Sequence, residues 1–152
     1  MGEHHPAASA ADAQALAERV AAAMFARDAA SRAMGMTIAG VGPGHAELSM
    51  TVRKDMLNGH AICHGGFIFT LADSAFAFAC NSYNLSTVAS GCAIDFIAPA
   101  REGDVLTASA RERSASGRTG VYDIEVTNQR GETIAYFRGK SYRIKGHVVE
   151  NA

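Results

Sequence analysis

The stretch from Phe67 to Cys80 constrains this chain most. It is built from Phe, Ile, Leu, Ala and Cys, with Thr70 and Ser74 as polar exceptions and Asp73 as its one charge. A helix that is apolar on nearly every face belongs in the middle of a fold. This one is too short to cross a bilayer, which takes roughly 20 residues. The stretch therefore reads as a buried central helix, opened by Gly65-Gly66 and running to about Tyr83. An unpaired carboxylate inside a fold is expensive or titrates at a shifted pKa. A functional role for Asp73 is the natural expectation.

The rest of the chain has to cover that helix. Residues 1–10 read as a disordered N-terminus, and the His4-His5 pair there as a frayed end rather than a metal site. Helix formers dominate from Ala11 to Met34. Leu16, Val20, Met24 and Phe25 form a modest apolar stripe, so this segment is expected to dock as an amphipathic helix ended by Gly35. The period then changes. Met36 to Val41 and Ala46 to Val52 flank Gly42-Pro43-Gly44, a hairpin signal. Ala46, Leu48, Met50 and Val52 alternate with His45, Glu47, Ser49 and Thr51, so one face is covered and the other is wet. A loop over 53–63 leads into the central helix.

After the helix come strands at 87–98, 105–113, 119–127 and 133–144. The turns between them are Arg101 to Asp104, Ser114 to Arg118, and Asn128 to Gly131. Strands joined by hairpins form an antiparallel sheet. One sheet with one long apolar helix has to wrap around it. The expected class is α+β, with a domain over 11–145 and a loose tail over 146–152.

Composition excludes several classes of function. The 152 residues fit one domain. A net charge of −1 provides neither a basic field for nucleic acid nor a polybasic membrane patch. Three cysteines without framework spacing argue against a disulfide scaffold and fit a reducing cytoplasm. No basic region followed by an apolar core opens the chain as a secretory signal would.

The segments Met56-Leu-Asn-Gly-His60, Cys63-His-Gly-Gly66 and Leu71-Ala-Asp-Ser-Ala-Phe-Ala-Phe-Ala-Cys-Asn81 resemble the PaaI-type phenylacetic acid degradation proteins, which are hotdog-fold acyl-CoA thioesterases. Val88-Ala-Ser90, Ile94-Asp-Phe96, Gly103-Asp104, Thr119 to Glu125 and Phe137 to Ser141 extend the likeness, which runs from about Met34 to Ile144. The specific part is His-Gly-Gly followed by an acid nine positions after the His, on an apolar helix. The resemblance implies hydrolysis of acyl-CoA esters, aryl-acetyl ones in particular. It also implies a homodimer assembling to a homotetramer with active sites between subunits. No cofactor is expected, since coenzyme A is part of the substrate.

Thioester hydrolysis needs a donor for the developing oxyanion and a group that attacks or activates water. The Gly65 and Gly66 amides stand at a helix start, where N–H groups are unpaired and the dipole is positive. The Gly65 N–H is assigned to the thioester oxygen, although the same glycines can serve simply as a tight turn. By the resemblance, Asp73 acts as nucleophile or general base. About 12 Å of helix separates Gly65 from Asp73, so one thioester carbon cannot sit about 3 Å from both. Two antiparallel copies side by side would place Gly65 of one near Asp73 of the other.

His64 and Asn58 match positions that orient the carbonyl or the loop in relatives. Ser90 is expected to hydrogen-bond Asp73, to position water, or only to pack. Ala77 stands where some relatives carry a hydroxyl. Arg101, Gly117, Arg118, Lys140 and Arg143 are candidates for the CoA phosphates, and Gly66 for close approach of the substrate. His60, Cys63 and His64 lack zinc spacing. Cys80 and Cys92 read as core filler. Phe67, Phe76 and Phe78 are core by spacing, with one of them available to line an acyl pocket. The rival readings are a non-catalytic acyl-CoA-binding hotdog module and a dehydratase-type hotdog enzyme.

Overall fold

The computed structural model describes residues 8–150. Helix α1 (Ala10–Arg27) begins at a capping box: the Ser9 hydroxyl accepts the Asp12 N–H at 3.1 Å, and the Asp12 carboxylate accepts the Ser9 N–H at 3.3 Å. The expected disorder over 1–10 is thus corrected at Ser9 and Ala10, while residues 1–7, with His4 and His5, lie outside the described residues. Ala17, Val20 and Ala21 form the buried stripe. Gln14 ties the helix to the sheet by donating to the Val41 carbonyl at 2.7 Å.

The single helix expected over 11–34 is two helices. Asp28 (φ −90°, ψ 85°) leaves helical geometry and caps α2 (Ala29–Ala33). Its carboxylate accepts the Ser31 N–H at 3.0 Å and the Ser31 hydroxyl at 2.6 Å. This side chain competes for backbone donors that a continuous helix would use itself. The Ser31 oxygen lies 2.8 Å from that of Ser74, in the middle of the central helix. Gly35 ends α2 as expected: at φ +71°, its N–H goes to the Arg32 carbonyl and that of Met36 to the Ser31 carbonyl, a Schellman closure.

The sheet is six-stranded and antiparallel throughout. Its strands are β1 (Thr37–Gly42), β2 (His45–Thr51), β3 (Leu85–Phe96), β4 (Val105–Ser116), β5 (Thr119–Thr127) and β6 (Thr133–His147), in the order β1-β2-β4-β5-β6-β3. The central helix α3 (Gly65–Cys80) lies across the sheet. Leu48, Met50, Leu106, Ile124 and Phe137 pack with Leu71, Phe76 and Phe78 in one core. Gly139 gives the Phe76 ring room against the sheet, since a Cβ there would stand 2.7 Å from it. This is the α+β hotdog architecture the order of elements predicts.

Element ends differ from the sequence-based expectation where side chains or pairing intervene. Helix α3 stops at Cys80 rather than near Tyr83. Asn81 clamps that end, donating to the Ala77 carbonyl at 2.9 Å and the Thr87 carbonyl at 3.0 Å and accepting the Thr87 N–H at 2.9 Å. Strand β3 starts at Leu85 and ends at Phe96, two residues short of Ala98. Strand β4 absorbs a bulge between Glu112 and Ser114 and continues to Ser116, so the turn before β5 is only Gly117-Arg118. Strand β6 reaches His147. The Val149 N–H then donates to the Asn84 side chain at 2.8 Å, so residues 146–149 are not a loose tail. Among the described residues, no helix is long and apolar enough to cross a membrane.

Candidate active site

The loop before α3 is organised by Asn58. Its Oδ1 accepts the His60 N–H at 2.9 Å and the Ile62 N–H at 3.4 Å, while its own N–H reaches the Ile62 carbonyl at 2.8 Å. The Asn58 Nδ2 has no acceptor among the described residues and remains a free donor. The loop is pinned to its surroundings by Cys63 N–H to the Ala100 carbonyl (2.8 Å) and His64 N–H to the Met56 carbonyl (2.7 Å).

His64 is the N-cap of α3. Its Nδ1 accepts the Gly66 N–H at 2.9 Å, and its ring meets Phe67 edge-on at 6.3 Å. The Gly66 amide is thereby satisfied. The Gly65 N–H has no acceptor among the described residues, and it stands at the positive end of the helix. Gly65 and Asn58 share a cavity of about 510 Å³ with Ile62, Ile68, Phe96 and Ile97. That is the size of a small-molecule pocket, lined largely by apolar side chains with a few convergent donors.

Asp73 lies two turns further along the same helix. It is half-buried and forms no hydrogen bond or salt bridge with any described residue. Burial alone pushes its pKa above the ordinary carboxylate range. Strand β3 crosses near it. Cys92 pairs with Gly139, the residue seated on Phe76, and the Asp73 charge adds to the burial that raises the Cys92 thiol. Burial likewise pushes Cys80 up to about 12, with Asp73 contributing, and Cys63 up to about 11.

Among the described residues strand β3 pairs only with β6, which leaves its other edge open along 12 residues. A long unpaired edge is a template for another strand. Cys92 lies on this edge strand, and Asp73 is near enough for its charge to act on the Cys92 thiol.

Residues 60–135 match the Thioesterase superfamily. The chain is 52% identical over 130 residues to the acyl-coenzyme A thioesterase PaaI of Escherichia coli, covering 86% of this chain and 93% of that one. The chain belongs to the PaaI type of the hotdog-fold thioesterases. The solved Escherichia coli PaaI protein, from a phenylacetic acid degradation operon, superposes on this PaaI-type chain with a TM-score of 0.87 at 51% identity, covering 88% of this chain and 97% of that one. A hypothetical thioesterase from Streptococcus pneumoniae, solved with coenzyme A, reaches a TM-score of 0.71 at 25% identity, over 74% and 88% of the two chains.

The fold of this PaaI-type chain brings Asn58, His64, Gly65 and Gly66 together and leaves Asp73 apart on the same helix. Of the three readings of Ser90, a bond to Asp73 of its own chain is absent: in the β3 bulge its hydroxyl donates to the Lys140 carbonyl at 3.1 Å. Arg101 is exposed beside Ala100, near the loop end of the sheet, and its N–H goes to Asp104 at 2.8 Å. Gly117 and Arg118 turn at the opposite end. There the Arg143 N–H bonds the Arg118 carbonyl, and Arg143 pairs with Thr87. Lys140 is exposed mid-strand, opposite Gly91. These cations therefore do not form one cluster with Gly65 of their own chain.

Cys92 is exposed, not core filler. Phe96 and Ile97 are the site residues that strand periodicity alone misses. Their signal is Pro99 just beyond them, which stops the strand and leaves two large apolar side chains at an open end.

Proposed function

We propose that this chain hydrolyses acyl-CoA thioesters, phenylacetyl-type esters in particular, to a free acid and CoA. The observation that carries the reading is a half-buried Asp73 that, among the described residues, has no partner, on the helix whose first amide, Gly65 N–H, likewise has no acceptor there. A structural acid would be expected to have acquired a partner. The likeness to the Escherichia coli thioesterase and to a relative solved with coenzyme A supports the substrate class.

The active unit in this reading is a homodimer built across the open β3 edge, with two dimers forming a homotetramer in the cytoplasm. Antiparallel pairing of two β3 strands would set two α3 helices side by side. Gly65 of one copy then polarises the thioester oxygen, and the Asn58 amide assists. Asp73 of the other copy takes a proton from water as the oxygen of that water bonds to the carbonyl carbon. The Gly65 amide holds the oxyanion, which collapses and expels the CoA thiolate, and the thiolate recovers the proton from Asp73. Direct attack by the Asp73 carboxylate, followed by hydrolysis of the resulting anhydride, uses the same groups. In a single turnover in ¹⁸O-water, label in the Asp73 carboxylate marks the anhydride route with water attacking the aspartyl carbonyl, whereas label confined to the product acid fits either route. Exposed Arg118 and Lys140 reach the CoA phosphates, and CoA enters only as part of the substrate, with no separate cofactor.

The deciding experiment is thiol release over a panel of aryl- and alkyl-CoA esters, with Asp73→Ala and Asp73→Asn beside the wild type. The expected result is turnover by the wild type and a loss of at least about a hundredfold in both variants. Wild-type binding of the esters without turnover would make this a binding module instead.

A further inference from the structure

We infer that Phe96 is a specificity-determining residue of the acyl site, supplying an aromatic wall for a flat acyl group. The inference rests on the thioesterase reading and deepens it. Phe96 is the last residue of β3 and packs on the first residue of α3. A Cβ on Gly65 would stand 2.9 Å from Phe96 Cζ and 3.2 Å from Cε1. Real Cβ atoms essentially never come within 3.0 Å of another atom, so the tip of the Phe96 ring stands where a side chain at position 65 would go, and a residue there would have to push that ring aside. Gly65 thus serves twice, leaving its amide open and giving the ring a seat.

The rest of the ring faces outward. Phe96 is 54% exposed and its neighbour Ile97 is 56% exposed, and both line the cavity that holds the Gly65 amide. Strand alternation would send two consecutive side chains to opposite faces. Here the strand has ended, and the Ile97 and Ala98 N–H groups both turn to the Ile134 carbonyl. Ile68 from the helix and Ile62 from the loop complete an apolar wall in which Asn58 is the polar side chain. In this proposal a carbonyl held at Gly65 has its substituent beside the Phe96 ring. Aromatic pairs gain from offset or edge-to-face contact beyond the area they bury, which favours an aryl substituent over a short linear one.

The test measures binding, so that it does not depend on turnover. Non-hydrolysable thioether analogues of phenylacetyl-CoA and butyryl-CoA are titrated against the wild type, Phe96→Leu and Phe96→Tyr. Phe96→Leu is expected to weaken the aryl analogue about tenfold and the butyryl analogue less than about threefold, with Phe96→Tyr restoring the aryl preference. Equal weakening of both analogues, no weakening of either, or a changed oligomeric state on gel filtration would overturn the inference. A companion melting experiment checks the seat: Gly65→Ala should lower the Tm of the wild type and have a clearly smaller effect in Phe96→Ala. Additive effects would show that the ring is not seated there. Thiol release by the wild type is scored separately. Its absence would remove the hydrolase reading while the binding comparison still decides the role of Phe96.

Discussion

The Nδ1 of His64 accepts the Gly66 N–H at 2.9 Å, which divides the first two amides of α3 between two jobs. The second amide holds the helix start in place and the first has no acceptor among the described residues. His64 is therefore a positioning residue with a capping role. His64→Ala should cost about 1 kcal/mol of stability, or roughly 2–4 °C in Tm for a chain of this size. His64→Asn, which can still cap, should recover most of that Tm. If His64 also orients the carbonyl, kcat falls in the Asn variant while its Tm is restored, and the comparison reads the two roles separately.

Asp73 should show opposite effects on activity and stability. Burial raises its pKa in the folded chain above the value in the unfolded chain. The folded state then binds the proton more tightly. The stability this contributes is fully present below the unfolded pKa and is lost as pH rises through the folded pKa. At neutral pH the ionised carboxylate is a burden, so Asp73→Asn should melt higher than the wild type there, and the difference should vanish in acid. In the proposed mechanism activity needs the ionised form. The acid limb of kcat/KM should lie above the ordinary carboxylate range near 4, and it should be missing from any residual activity of the Asn variant. A Tm that falls in Asp73→Asn would mean the carboxylate has a partner in the assembled protein.

A site shared between two copies predicts complementation. A chain with Gly65→Val and a chain with Asp73→Ala should each be nearly inactive alone. Unfolded together in equal amounts and refolded, half of the dimers are mixed, and each mixed dimer holds one intact site and one doubly broken site. About a quarter of wild-type activity should return, by the symmetry of a two-fold interface. No recovery from a refolded mixture shown to contain mixed dimers would place the whole site within one chain.

The cations at the Gly117-Arg118 turn and on β6 should affect binding rather than chemistry. Arg118→Ala and Lys140→Ala are each expected to raise KM for CoA esters about three- to tenfold with little change in kcat. Both effects should shrink as salt is added, because exposed charges are screened. The Arg118 guanidinium also donates to the Arg143 carbonyl at 3.2 Å. A truncated pantetheine ester lacking the nucleotide separates the two contributions, since its KM should not respond to either substitution.

Much of this was legible in the sequence because it follows from local rules. One apolar helix with a single acid, a Gly-Pro-Gly hairpin and period-two strands leave few ways to bury the helix. What was not legible depends on side chains reaching across the fold. Asp28 breaks the leading helix because it captures Ser31, a preference that helix-propensity sums do not weigh. Strand β4 runs on past Arg113 because a bulge at 112–114 lets pairing continue. Ser90 bonds a backbone carbonyl because that bulge-bound position sits against Lys140. Cys92 is exposed because β3 is an edge, and edge position is a property of strand order, which no local pattern encodes. Phe96 reads as an ordinary strand residue until the end of the strand is seen lying on Gly65.

The hydroxyl contact between Ser31 and Ser74 makes the leading helical pair a brace for the central rod. Ser74 is the residue after Asp73, so the rotational setting of the acid is fixed partly from outside the hotdog core. Chimeras that exchange only the sheet and long helix between relatives would leave this strut behind, and the acid would lose its fixed bearing even with every core contact retained.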